Sequence, residues 1–375
     1  WNFGFLRMGT SGFAAQAYGA RDCKETASVM IRALSVSLVL GLLIMLLQRP
    51  LAAVSFRVFG GGDTGSLAYD YFRVRVWSAP ATLALYVFKG WFIGMQDTRT
   101  PMWISIGGNA VNIALSVLFV FPLDMGMAGV ALGTTLSEYL SLAAFVWVWL
   151  GRYGLPWRSL RVREVFGMRK ILVFFAVNGD IFLRTLCLTA VTTFFVYASA
   201  WQGDEVLAAN ALLMQMFTLF SYFMDGFAYT AEALTGRFIG EGNMRELVRY
   251  VKRILLWSSA LALFFFVLYG VALRPVLSIF TDDESVVELA LHGRLWIMAV
   301  PVAGFLAFIY DGILIGATRS ALMRNVMAVS TAVFFGLYYL LEPMWGGDAL
   351  WCAFIFYLLS RGVLQMRASR LAENI

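Results

Sequence analysis

The chain is 375 residues long, 60% hydrophobic and 14% charged, where ordinary globular chains run at about 45 to 50% and about 25%. A mean hydropathy of +0.75 marks an integral membrane protein. It excludes soluble enzymes, nucleic-acid binders and secreted disulfide scaffolds together, because so few charges cannot clothe a water-soluble surface. Lys and Arg number 29 against 23 Asp and Glu, a net charge of +6 whose meaning depends on placement. Cys23, Cys187 and Cys352 lie far apart without metal-ligand spacing and read as small packing residues. Trp1 opens directly into an apolar run, without the basic flank and cleavage site of a signal peptide.

A bilayer core about 30 Å thick takes about 20 apolar residues per helix, and charges, glycines and prolines mark the ends. On that rule the sequence predicts eleven helices, at 1–19, 27–47, 70–95, 101–121, 126–150, 168–200, 205–235, 250–273, 286–316, 321–341 and 347–366. Numbering the loops alternately gathers most basic residues on one side, among them Arg21, Lys24, Arg99, Arg152, Arg158, Arg161, Arg163, Arg237, Arg319 and Arg367. The other side holds Arg49, Arg57 and Arg274 with Asp63, Asp124, Asp204, Asp283 and Glu342. By the positive-inside rule the first set is cytoplasmic and the C-terminus lies inside. The basic balance is therefore topology and not a nucleic-acid footprint.

The longest cytoplasmic connection, 151–168, interleaves arginines with Trp157, Leu160 and Val162. It reads either as an interfacial linker between two halves or as a plain basic loop. The expected domains are an N-terminal bundle at 1–150, this linker, and a C-terminal bundle at 169–375.

Compared with itself at an offset of 221, the chain superposes Gly19 on Gly240, Glu25 on Glu246, Arg32 on Arg253, Arg73 on Arg294 and Pro80 on Pro301. One residue of slippage later, Gly90-x-x-Ile93-Gly94 meets Gly312-x-x-Ile315-Gly316. One period holds six helices, an even number, so the sequence predicts a parallel repeat: an all-α polytopic membrane protein of two pseudo-symmetric bundles. The helix at 168–200 then finds its counterpart before residue 1. The expectation is a twelve-helix plan of which eleven are present.

Several stretches resemble the multidrug and toxic compound extrusion (MATE) family, in its DNA-damage-inducible (DinF-like) branch. They are FLRMGTSGFAAQAYGARD (5–22), GWFIGMQDTRTPM (90–102), GNAVNIALSVLFVFPLDMGMAGVALGT (108–134), NGDIFLRTLCL (178–188), LAANALLMQMF (207–217), YFMDGFAYTAEALTGRFIGEGN (222–243) and DGILIGATRSALMRN (311–325). The resemblance implies a two-bundle exporter, expelling organic cations or other amphiphiles in exchange for H⁺ or Na⁺. It implies no cofactor, a monomer in the plasma (inner) membrane, and partners limited to the lipid bilayer and small amphiphilic or cationic substrates.

A charge at mid-bilayer costs about 2.5 to 3.5 kcal/mol on insertion scales, so intramembrane ionisable groups are functional candidates. Lys89, Glu138, Asp180, Arg184, Asp225, Glu232 and Asp311 qualify. Asp180 and Arg184 are four apart, on one helical face within ion-pair reach. The pair reads as a titrating carboxylate moderated by its arginine or as a structural bridge. Asp225 and Glu232 share a face with Asn210 and Gln215, which forms either a cavity wall or a helix–helix hydrogen-bonding stripe. Lys89 and Asp311 occupy equivalent positions before the repeated Gly-x-x-Ile-Gly. They read as a gating pair across the bundles, or Lys89 snorkels to the interface.

Asn109 and Asn112 lie on the helix at 101–121, and by resemblance Asn112 matches an asparagine of the family's cation-coupling pocket. Ser116 stands one turn on, where many relatives carry an aspartate. Pro80 and Pro301, inside long helices, are hinge candidates or tolerated kinks. Seventeen Met, 32 Phe, 15 Tyr and 12 Trp supply material for an adaptable, cation-tolerant cavity.

No Walker A sequence or metal-binding His/Cys pattern is present, which argues against an ATP-driven pump and an intramembrane metalloprotease. The alternatives to an exporter are a lipid-linked saccharide flippase and a membrane-embedded transferase. A flippase calls for several deep cations to hold a pyrophosphate, and the sequence offers Lys89 and Arg184. A transferase calls for an interfacial catalytic cluster, and none is found. The expectation is therefore a transporter and not an enzyme.

Overall fold

The computed structural model describes residues 2–59, 63–154 and 165–373. The centre of the linker, with Trp157, Arg158, Leu160, Arg161, Val162 and Arg163, lies outside the described residues. Every long element is an α-helix, and no strand forms among the described residues. The helices are α1 (Phe5–Gly19), α2 (Cys23–Leu46), α3 (Gln48–Phe59), α4 (Asp63–Arg75), α5 (Ala79–Gly94), α6 (Arg99–Val120) and α7 (Gly126–Tyr153). They continue with α8 (Met168–Trp201), α9 (Asp204–Gly240), α10 (Met244–Leu277), α11 (Glu284–His292), α12 (Arg294–Gly316), α13 (Ser320–Trp345) and α14 (Gly347–Glu373). Among the described residues nine of these are long and apolar enough to cross a membrane.

Four of the expected segments are arranged differently. The helix expected at 70–95 is broken by a 3-10 turn at Val76–Ser78, just ahead of Pro80 in the first turn of α5. A proline ring collides with the carbonyl four residues earlier, here Val76, and restricts the residue before it. At the start of a helix its missing N–H costs nothing. The helix expected at 286–316 is likewise two helices that meet at Gly293, with Pro301 inside the second. The helix expected to end at 273 continues to Leu277 across a kink at Ala272, three residues before Pro275. The span between 47 and 70, expected as a loop, carries α3 and the start of α4.

The chain forms two compact units, residues 3–174 and 175–375. In the first, α5 packs against α1, α2 and α7, and α6 packs on α7. Its core gathers Leu6, Met30, Phe88, Trp91, Phe92 and Phe145, and the Trp91 indole N–H donates to the Thr26 carbonyl at 3.1 Å. In the second, α12 packs against α9, α10 and α14, and α13 packs on α14, around Phe195, Phe220, Phe265, Phe354 and Tyr357. The packing scheme repeats: α5 stands to α1 and α7 as α12 stands to α9 and α14.

The repeat extends to single atoms. A Cβ on Gly90 would overlap the Arg7 carbonyl, and one on Gly312 would overlap the Ala228 carbonyl, 221 residues after Arg7. Gly94 packs on Ser11, and Gly316 on Glu232 in the same register. Helix ends repeat as well. Arg21 and Gly242 both turn with positive φ (54° and 69°), as do Gln96 and Thr318 (65° and 54°). Behind each turn the next N–H bonds back five residues: Asp22 to Ala17, Asn243 to Phe238, Asp97 to Phe92 and Arg319 to Leu314. These are Schellman closures, which satisfy otherwise orphaned helix carbonyls. Asp22 and Asn243 then cap the following helices through the N–H groups of Glu25 and Glu246.

Candidate functional site

In the first unit three helices place polar side chains around one cavity of about 270 Å³. Helix α5 contributes Thr82, Tyr86 and Lys89; α6 contributes Ser105, Asn109 and Asn112; α7 contributes Thr134, Ser137, Glu138 and Ser141. On α5 and α6 the spacings are of three and four residues, and on α7 Ser137 and Glu138 are adjacent with Thr134 and Ser141 three or four residues to either side, so each set projects from one face. Gly108 lets α6 approach α7 so closely that a Cβ there would overlap the Ser141 hydroxyl.

The carboxylate of Glu138 is gripped by Arg75, with Nη2 to Oε1 at 2.6 Å and Nη1 to Oε2 at 2.9 Å. The Thr82 hydroxyl also donates to Oε2, at 2.5 Å. Such a bidentate fork is the strongest geometry an arginine and a carboxylate can adopt. Asn112 donates to the Ser137 hydroxyl at 3.3 Å. Lys89 is half-buried at the cavity in the field of Glu138 and Arg7, and makes no ion pair among the described residues.

The second unit holds a different arrangement. Asp311 on α12 accepts from Arg184 on α8 and from Arg361 and Gln365 on α14, the last at 2.6 Å. All four residues are buried. Asp180 sits near the start of α13, accepting from the Ser320 hydroxyl at 2.8 Å and from the Arg324 guanidinium.

The pair expected between Asp180 and Arg184 is therefore replaced by two others, Asp180 with Arg324 and Arg184 with Asp311. Spacing of four makes contact available on a helix, but each side chain finds a stronger partner on another helix. Asp311, which on one of the two readings would face Lys89, finds its partners within its own unit. Asn210 accepts from the Trp351 indole and donates to the Ser199 hydroxyl, both at 2.9 Å, so it joins helices. Gln215 is exposed, Asp225 half-buried and Glu232 buried. Pro80 starts a helix, and Pro301 lies inside one.

Arg361 and Gln365 escaped the sequence reading. Their signal was an arginine inside the helix expected at 347–366, an ionisable group of the kind that marks a candidate within a span. Arg32 and Arg7 are buried too, so the deep cations are not confined to Lys89 and Arg184. Glu138 stood out as an intramembrane acid, but its partner Arg75, 63 residues away, is invisible to local spacing.

The MatE family model matches residues 3–118 and 181–340. DNA damage-inducible protein F of Escherichia coli K12 is 35% identical over 363 residues, covering 96% of this chain and 78% of that protein. Probable multidrug resistance protein NorM of Thermotoga maritima is 25% identical over 297 residues, covering 76% of this chain and 62% of that protein. Protein DETOXIFICATION 42 of Arabidopsis thaliana is also 25% identical, and the match spans 56% of its length. A crystal structure of MATE in the bent conformation superposes with a TM-score of 0.85 at 19% identity, covering the whole of this chain and 85% of that one. An outward-facing multidrug resistance MATE family transporter of the MOP superfamily gives the same score at 22% identity, covering 99% and 84%. The two units thus have the fold of a polytopic membrane transporter. The chain belongs to the MatE family of multidrug and toxin extrusion transporters; it is a multi-pass membrane protein and not an enzyme.

Proposed function

We propose that the chain is a secondary active exporter that exchanges H⁺ or Na⁺ for organic cations or amphiphilic compounds as its two bundles rock. The supporting observation is the cavity of the first unit, where Lys89 of α5 gathers with Asn109 and Asn112 of α6 and Glu138 of α7, the last two helices each long and apolar enough to span a bilayer. Charges at that depth are costly unless paired or wetted, and an open polar cavity is where an ion and a substrate can compete. Glu138 is its carboxylate, and exchange of Arg75 for an incoming cation is the step that would link binding to movement. No Walker A motif is present, so a gradient supplies the work, about 2.3 kcal/mol per charge per 100 mV.

The basic loops favour a cytoplasmic C-terminus, and with it the reading takes in a monomer in the plasma membrane whose two bundles are joined by the 151–168 linker. Buried Arg32 and Arg361 add cations that a flippase for lipid-linked saccharides would want. Both, however, are buried and already hold a protein acceptor, Arg32 the Val165 carbonyl at 2.8 Å and Arg361 the Asp311 carboxylate, an arrangement unsuited to a bulky pyrophosphate on a lipid carrier. The exporter reading is preferred.

In proteoliposomes, an imposed pH or sodium gradient should drive uphill movement of a fluorescent organic cation, and collapsing the gradient should stop it. Movement that survives collapse with both ions clamped would refute the exchange.

A further inference from the structure

One carboxylate in the second unit serves two guanidinium groups. Arg184 and Arg361 both donate through Nη2 to the same oxygen of Asp311, Oδ2, while Gln365 takes Oδ1. Arg184 is 5% exposed, Arg361 3%, Asp311 6% and Gln365 0%. Among the described residues Asp311 is the one carboxylate that pairs with either arginine. Two positive charges and one negative leave a surplus of one in a buried cluster. An unbalanced charge out of water costs several kcal/mol, so a structure that keeps one calls for a counter-ion. The Phe308 ring, 6.0 Å from the Arg361 guanidinium carbon, offsets only a small part.

A second observation points the same way. The Nε–H groups of Arg184 and Arg361 are both buried and find no acceptor among the described residues. A charged donor left unmade in the interior is among the more expensive omissions in a folded protein. Both orphaned donors belong to the cluster that carries the surplus charge, so one anionic acceptor at those edges would remove both deficits.

We infer that Arg184 and Arg361 bind a small monovalent anion of the chloride class in the second unit, as a second counter-ion beside Asp311. The charge sets the valence: one unit is missing, and a divalent anion would turn the cluster negative. The burial of all four side chains sets the size, since a carboxylate-bearing substrate or a lipid headgroup would need an opening to the surface. This site is independent of the exchange proposed for the first unit.

Thermal unfolding of the purified full chain in nanodiscs, in chloride or bromide against gluconate at equal ionic strength, tests the inference. The unfolding temperature should be higher in halide, rising by roughly 3 °C for each tenfold increase above half-saturation. Arg361→Gln leaves a neutral Arg184 and Asp311 pair and should abolish that dependence. A halide effect undiminished in Arg361→Gln, or none in the wild type, overturns the site. Bromide-soaked wild-type crystals decide the matter however the variant folds: an anomalous peak within hydrogen-bond reach of both Nε atoms supports it, and a cluster without one overturns it.

Discussion

Gly312 packs on the Ala228 carbonyl so closely that the glycine has no room for a side chain, and Gly90 meets the Arg7 carbonyl in the same way. The obstructing atom is helix backbone, which cannot swing aside. Gly312→Ala and Gly90→Ala should each destabilise the protein by about 3 kcal/mol, at the upper end of overpacking costs. Gly107→Ala, where a Cβ meets nothing within 4 Å, should instead stabilise α6 by about 0.5 to 1 kcal/mol. Reversible unfolding in mixed micelles provides the comparison, and equal effects at all three positions would contradict the packing.

The re-pairing of Asp180 and Arg184 makes a prediction for double-mutant cycles. Asp311→Asn with Arg184→Gln should show a coupling energy of at least about 0.5 kcal/mol, because the two groups touch. Asp180→Asn with Arg184→Gln should be additive within about 0.5 kcal/mol. Strong coupling between Asp180 and Arg184 would restore the pairing that their spacing suggests.

These two cases show what local sequence could carry. The repeat was legible because glycines at close contacts and residues at turns are fixed by backbone geometry, which recurs wherever the fold recurs. Hence Gly90 with Gly312, and the turns at 21 and 242, align along the chain and in space. Asp311 was legible as a buried acid, but its partners lie 127 and 50 residues away, and helical spacing carries no record of which helix faces which. Pro80 was misplaced because an apolar run on both sides hides a break that only its ring geometry enforces.

In the cavity of the first unit, Glu138→Gln removes the charge that holds Arg75. Gradient-driven transport should fall at least tenfold, about 1.4 kcal/mol in transition-state terms. Asn109→Ala should weaken apparent substrate affinity a few-fold, with the maximal rate less affected. Lys89→Met should shift substrate preference toward cations, because it removes a positive charge from the wall. Transport measured at several substrate concentrations separates these effects, and an unimpaired Glu138→Gln would remove the cavity from the mechanism.

Asp283 caps α11, accepting from the Ser285 hydroxyl and from the N–H groups of Val286 and Ser285. The Ser285 hydroxyl, then the two backbone N–H groups, hold its carboxyl below the usual aspartate range. A depressed pKa means the cap stabilises fully above the ordinary value of about 3.9, and its contribution is lost as pH falls through the folded value. The stability difference between wild type and Asp283→Ala should therefore be constant near neutrality and shrink in acid. A difference that grows below pH 4 would contradict the assignment.

The exchange itself is tested most directly by asking whether cargo expels an ion. When an organic cation is added to the purified protein in weakly buffered micelles, the exchange predicts saturable release of protons, or of bound sodium, lost in Glu138→Gln. Substrate that binds at full affinity while releasing neither ion would contradict it.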